Sequence, residues 1–142
     1  MIPSPSLRGV SGALLCAVLA FTAAVGAVAA HETVKPLFQH ALPNAPGKTF
    51  STAIVDFPPG ATSVPHRHGQ AFVYAYVLQG AVRSQLEGEP AKTYQTGEFW
   101  YEAPGAHHLE TTNASTTAPA RLLVTFIADD GQPLKVDDAP AR

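Results

Sequence analysis

Four of the six histidines in this chain stand in two tight pairs, His66-Arg67-His68 and His107-His108. Neutral imidazole is a good ligand for iron, copper, nickel or zinc, binding the last at about 2.0–2.2 Å. In an extended strand, residues two apart share a face and lie about 6.5–7 Å from one another. His66 and His68 can therefore send ring nitrogens to one point. The same pair on a solvated strand would do nothing, so its value depends on a third ligand from elsewhere. Adjacent strand residues point to opposite faces, which lets only one of His107 and His108 serve, with a local bulge deciding the choice if the strand is irregular.

Other polar residues near these pairs are candidates to complete a site. Glu110 lies two residues after His108 and in a continuous strand shares its face, as a ligand, as a partner for an imidazole N–H or as a base; a solvated glutamate is the plainer alternative. Gln70 follows the first pair closely and offers an amide oxygen. Tyr74, Tyr76, Phe99, Trp100 and Tyr101 either line a pocket or form ordinary core and contact surface. His31 could build a copper site with its own amino group only if His40 were close, and a free terminus is the simpler reading.

Short strands carry these residues. The chain has 142 residues, with 13 prolines and 11 glycines that cut it into stretches rich in β-branched and aromatic residues. Strands are expected at 49–57, 71–78, 81–87, 93–96, 98–102, 107–111 and 121–128. Tight turns fall at Pro58-Pro59-Gly60, Gln79-Gly80, Gly88-Glu89-Pro90, Pro104-Gly105 and Asp129-Asp130-Gly131. No window beyond the first thirty residues keeps helical spacing without a proline or glycine inside it. The domain is expected to be all-β, as a sandwich or a double-sheet barrel.

Residues 1–30 read differently. One basic residue, Arg8, precedes an apolar run from Val10 to Val28, and small residues close the segment at Ala27-Val28-Ala29-Ala30. That is the layout of a secretory signal peptide. The run is rich in alanine and carries Gly12, Thr22 and Gly26, whereas a membrane span needs about twenty strongly apolar residues. Export to the periplasm or outside the cell is expected, with no membrane attachment after cleavage. Removal leaves 112 residues (142 − 30), one small domain, with residues 31–48 as an extended arm, 49–130 as a barrel and 131–142 as a loose tail. Cys16 leaves with the leader, so no disulfide is available. Eight basic against eleven acidic residues leave a net of −3 (8 − 11), with no basic cluster, which argues against a nucleic-acid partner.

The histidine pairs and their flanks resemble the cupin superfamily. The first cupin motif is Gly, five residues, His-x-His, three or four residues, Glu, six residues, Gly. The stretch Gly60-Ala61-Thr62-Ser63-Val64-Pro65-His66-Arg67-His68 fits its opening and Gly80 its close, but Val73 stands where the glutamate ligand is usual. The second motif is Gly, five residues, Pro-x-Gly, two residues, His, three residues, Asn. Gly97 to His108 follows it, with Ala103 in place of the proline and Asn113 one position late.

The resemblance implies a small single-domain cupin: a double-stranded β-helix, or jelly roll, with one divalent ion (Fe, Mn, Ni, Cu or Zn) on His66, His68 and His108. It further implies a small-molecule ligand and pairing of the barrel as a homodimer. Cupin dioxygenases that work on three histidines suggest a mononuclear metal-dependent oxygenase or related enzyme acting on a small organic molecule. The alternatives are a periplasmic module that binds metal or ligand without chemistry, and a purely structural dimer.

Overall fold

The structure is a computed structural model that describes residues 30–140. The expected signal segment lies outside the described residues except for Ala30. Ten strands form two antiparallel five-stranded sheets: β1 (Thr33–Ala41), β2 (Lys48–Phe57), β3 (His66–Arg67), β4 (Phe72–Gln79), β5 (Ala81–Leu86), β6 (Lys92–Gln95), β7 (Phe99–Glu102), β8 (His107–Asn113), β9 (Ala120–Asp129) and β10 (Val136–Asp137). One sheet runs β1-β2-β9-β4-β7 and the other β10-β3-β8-β5-β6. Among the described residues there is no helix. The all-β double-stranded β-helix expected from the sequence is the fold observed.

Seven strands fall within two residues of where proline and glycine punctuation places them. Strand β4 shows why: Val73, Ala75 and Val77 are buried while Phe72, Tyr74 and Tyr76 face outward. That is the period-two pattern of a strand with one face in a core. Phe57, Val73, Val77, Val82 and Leu122 are the largest fully buried side chains of the core. Gly80 makes the β4–β5 hairpin at φ 73°, and a Cβ there would sit 2.8 Å from the Pro119 carbonyl oxygen. Asn113 closes the same region. Its side-chain amide donates to the carbonyls of Phe57, Pro58 and Ala118, and its oxygen accepts from Ser115 N–H.

The segment expected as an extended arm is extended, but it belongs to the sheet as strand β1. Pro36 is tolerated there because β1 is an edge strand, and the register shifts between Pro36 and Phe38. The segment expected as a loose tail contributes β10, whose Val136 and Asp137 pair with Arg67 and His66. Two residues cannot announce themselves as a strand, and this one exists only because β3 offers it a free edge.

Candidate metal centre

Strands β3 and β8 lie side by side with His66 opposite His108, and His68 follows β3 directly. All three rings are buried, and each brings one ring nitrogen to within 4.8 Å of the others. The expected residues His66, His68 and His108 thus form a group that could hold a metal ion.

Backbone carbonyls orient the first two rings. His66 Nδ1 donates to the Val64 carbonyl at 2.7 Å, and His68 Nδ1 donates to the Leu134 carbonyl. Each imidazole then presents its Nε2 lone pair inward, and these two atoms stand 3.1 Å apart. Burial pushes His66 down to about 4 from its ordinary value, helped by the neighbouring His68 and His108, although the Val64 carbonyl opposes the shift. Burial lowers His68 too, against the pull of Glu102 and Leu134. Neither ring carries a second proton near neutral pH, so two lone pairs converge where one cation can meet both.

A carboxylate that the sequence reading passed over faces the rings from the other sheet. Glu102, on β7, is 2% exposed. Its Oε1 accepts from Trp100 Nε1 at 3.2 Å and lies 3.0 Å from His108 Nδ1. Its Oε2 lies 3.7 Å from His68 Nε2 and has no hydrogen-bond partner among the described residues. Burial disfavours its charge, yet the hydrogen bond and charge of His108, with His68 and Trp100, outweigh burial and hold Glu102 below the usual carboxylate range. Glu102 pairs directly with Val73 across the β4–β7 ladder. The carboxylate missing at Val73 is therefore present one strand away, on the same face of the same sheet.

This donor set fits an ion. At about 2.1 Å from a shared centre, neighbouring ligands are separated by about 3.0 Å at right angles and about 3.4 Å at tetrahedral angles. The separations of 3.1 Å between His66 Nε2 and His68 Nε2 and 3.7 Å between His68 Nε2 and Glu102 Oε2 lie close to those values. The orphaned Glu102 oxygen supplies the independent sign, because a buried carboxylate oxygen without a donor is costly unless a cation meets it. His108 is braced further by the hydroxyls of Ser84 and Thr111, at 2.8 and 2.9 Å from Nε2.

The cluster opens into a cavity of about 480 Å³ between the sheets. Its walls include Ala75, Leu122, Val124 and Phe126, and its rim Val34 of β1 and Lys135 of the C-terminal segment. Small side chains on the inner faces of β2 and β4, Ala53 and Ala75, leave this space unfilled. Lys135 is held at the rim by Glu32 and Asp137, at 3.0 and 2.8 Å.

The other candidates lie elsewhere. His107 points away from the cluster and pairs with Asp138 at 2.7 Å, as strand alternation requires. Glu110 does not share the face of His108. A register shift makes Gln85 pair with Glu110 and Leu86 with His108, so Leu109 is an extra residue that inverts the alternation. Both carboxylate oxygens of Glu110 instead accept from the one Nε–H of exposed Arg83, at 2.9 and 3.1 Å. Gln70 is exposed and lies against Gly105. Of Tyr74, Tyr76, Phe99, Trp100 and Tyr101, only Trp100 lines the cavity. Tyr74 packs on Phe99 and Phe72 on Tyr101 outside the sheet, at 5.2 and 5.8 Å between centroids. His31 and His40 bracket the length of β1, about 30 Å at 3.3 Å per residue, so no site joins them.

In comparison with family models, residues 53–126 match the Cupin domain. No curated protein matches the sequence. Among solved structures, an oxalate oxidase in complex with the substrate analogue glycolate aligns with a TM-score of 0.60 at 24% identity, over 78% of this chain and 57% of that one. The DMSP lyase DddQ from Ruegeria pomeroyi aligns with a TM-score of 0.60 at 22% identity, over 75% and 51%. A cupin 2 conserved barrel domain protein from Salinispora arenicola gives 0.53 at 19% identity, over 67% and 74%. The chain spans little more than half of the oxalate oxidase and the lyase, and identities this low show a shared fold alone.

Proposed function

Since the chain belongs to the cupin domain family, we propose that it is an exported metal-dependent enzyme acting on a small organic acid, its ion held by His66, His68 and His108 with Glu102 as fourth ligand. The observation that carries this reading is the orphaned Glu102 oxygen beside two convergent imidazole lone pairs, at the floor of an apolar cavity. A divalent ion there supplies a Lewis acid with positions left open for an oxygen or sulfur head group.

The protein's own part is positioning and exclusion of water. The Val64 and Leu134 carbonyls fix the rings of His66 and His68, and Ser84 and Thr111 fix His108. Apolar walls strip water from whatever enters, which strengthens charge interactions at the floor. Glu102 is the one acidic group on the floor, with Glu32 tied to Lys135 at the rim, so proton transfer falls to Glu102 or to the ligand itself. The identity of the ion among Fe, Mn, Ni, Cu and Zn is left to the experiment.

Export is supported by residues 1–30 alone. A paired barrel is supported by the outer aromatic face of β4 and β7, where Phe99 and Tyr101 are 54% and 60% exposed. Reloading the purified protein with each ion and following oxygen uptake and product formation across a panel of small carboxylates and thiols tests the enzyme. Turnover that vanishes in His66→Ala is the expected result. Tight ion and acid binding without turnover for any ion would move the protein to the non-catalytic binding module, a reading favoured by the many apolar side chains in the cavity wall.

A further inference from the structure

Two buried polar atoms without partners among the described residues face the same cavity: Glu102 Oε2 at the floor and Ser51 Oγ on strand β2. Ser51 is 5% exposed. Along β2, Ser51, Ala53 and Phe57 are the buried residues, so its hydroxyl shares the inner face of the sheet. Of the other buried hydroxyls close to the cluster, Ser84 and Thr111 are committed to His108 and Ser63 to Glu32. Leaving a hydroxyl unpaired in apolar surroundings is destabilising, and a native protein that keeps one has a use for it or an undescribed partner.

The place of Ser51 in the sheet gives that partner a shape. One continuous row crosses the sheet through paired residues: Gln39, Ser51, Phe126, Val73 and Glu102. Ser51 and Glu102 are three strands apart on it, about 14 Å along the sheet at a strand spacing of about 4.8 Å. Between them stand Phe126, whose ring packs on His68 at 5.2 Å, and Val73. Along this row the cavity wall is thus polar at Ser51 and Glu102 and apolar in between.

We propose that Ser51 anchors the far end of the ligand. The ligand class that fits is an organic acid whose head group sits at the histidine cluster, with a one-ring or short-chain apolar body and a hydrogen-bonding group at its other end. The head-group half of this assignment rests on the function proposed above, and the Ser51 half on the orphaned hydroxyl and its place in the row.

The test uses zinc-loaded full-length mature protein and two probes, trans-cinnamate and trans-4-hydroxycinnamate, which differ only in a hydroxyl at the end distant from the carboxylate. Calorimetry is expected to show the hydroxylated probe binding about tenfold more tightly to the parent, and Ser51→Ala abolishing that preference while leaving cinnamate unchanged. Without ligand, Ser51→Ala should melt at the same temperature as the parent or higher, because it removes a hydroxyl that has no partner. A preference that survives Ser51→Ala, or a clear fall in melting temperature, overturns the role of Ser51. Binding of cinnamate that does not depend on zinc overturns the head-group reading and leaves the Ser51 comparison intact. Binding of neither probe to the zinc-loaded parent overturns the ligand class.

Discussion

Val73 and Glu102 are ladder partners, which makes the position of the carboxylate exchangeable between two strands. Glu102→Gln removes the anionic donor while keeping the shape, and ion affinity should fall about 10- to 100-fold. Val73→Glu alone sets two carboxylates side by side in a buried face, so it should destabilise the metal-free protein rather than improve the site. The exchange Val73→Glu with Glu102→Val restores one carboxylate and should recover most of the lost affinity in an ion titration. Acid should also weaken the metal-free fold. The folded-state value of His66 is about 4, below its ordinary 6.5. The unfolded chain therefore binds the extra proton first, and the contribution of the neutral ring, full above pH 6.5, is lost as pH falls toward 4. Its size is at most about 3 kcal/mol, from 1.36 kcal/mol per pH unit. His68 shifts the same way, and Glu102, held low, extends the loss to lower pH. Urea midpoints of chelator-treated protein at pH 7 and pH 4.5 measure this, and His66→Ala should flatten the difference.

The C-terminal segment matters to the centre more than its composition suggests. Leu134 orients His68 through its carbonyl, and β10 pairs with the strand that carries His66. Ending the chain at Gly131 should leave the barrel folded but lower ion affinity by about 10- to 100-fold, as removing ligand-orienting partners does. Asn113→Ala strips three carbonyls and one N–H of their partner between β8 and the ends of β2 and β9, and should cost about 3 kcal/mol in denaturant unfolding. The seven main strands were legible in the sequence because proline and glycine bound them and alternation fills them. Strand β1 was not recognised as a strand because Pro36 argues against a central strand and only the sheet order shows that this one is an edge. Bulges are equally silent: nothing in His107 to Asn113 marks Leu109 as the extra residue that turns Glu110 outward.

At the scale of the molecule, the two sheets work as one device, one contributing the histidines and the other Glu102, Phe126 and Ser51. The three histidines were legible because both motifs fix their spacing along the chain. Glu102 was not, since its place opposite Val73 is a matter of register between strands that chain counting does not reach. Its signal was present in weak form, as a single acidic residue inside the inward alternation that Trp100 begins. In the proposed site one ion sits on His66, His68 and His108 beside Glu102. Metal content per chain, measured on protein purified from the exported fraction and again after identical reloading of each variant, tests it most directly. About one ion per chain is expected in the parent and in His107→Ala, and almost none in His66→Ala, His68→Ala or His108→Ala. A parent that takes up no ion, or a His108→Ala variant that keeps its ion while His107→Ala loses it, would contradict the account.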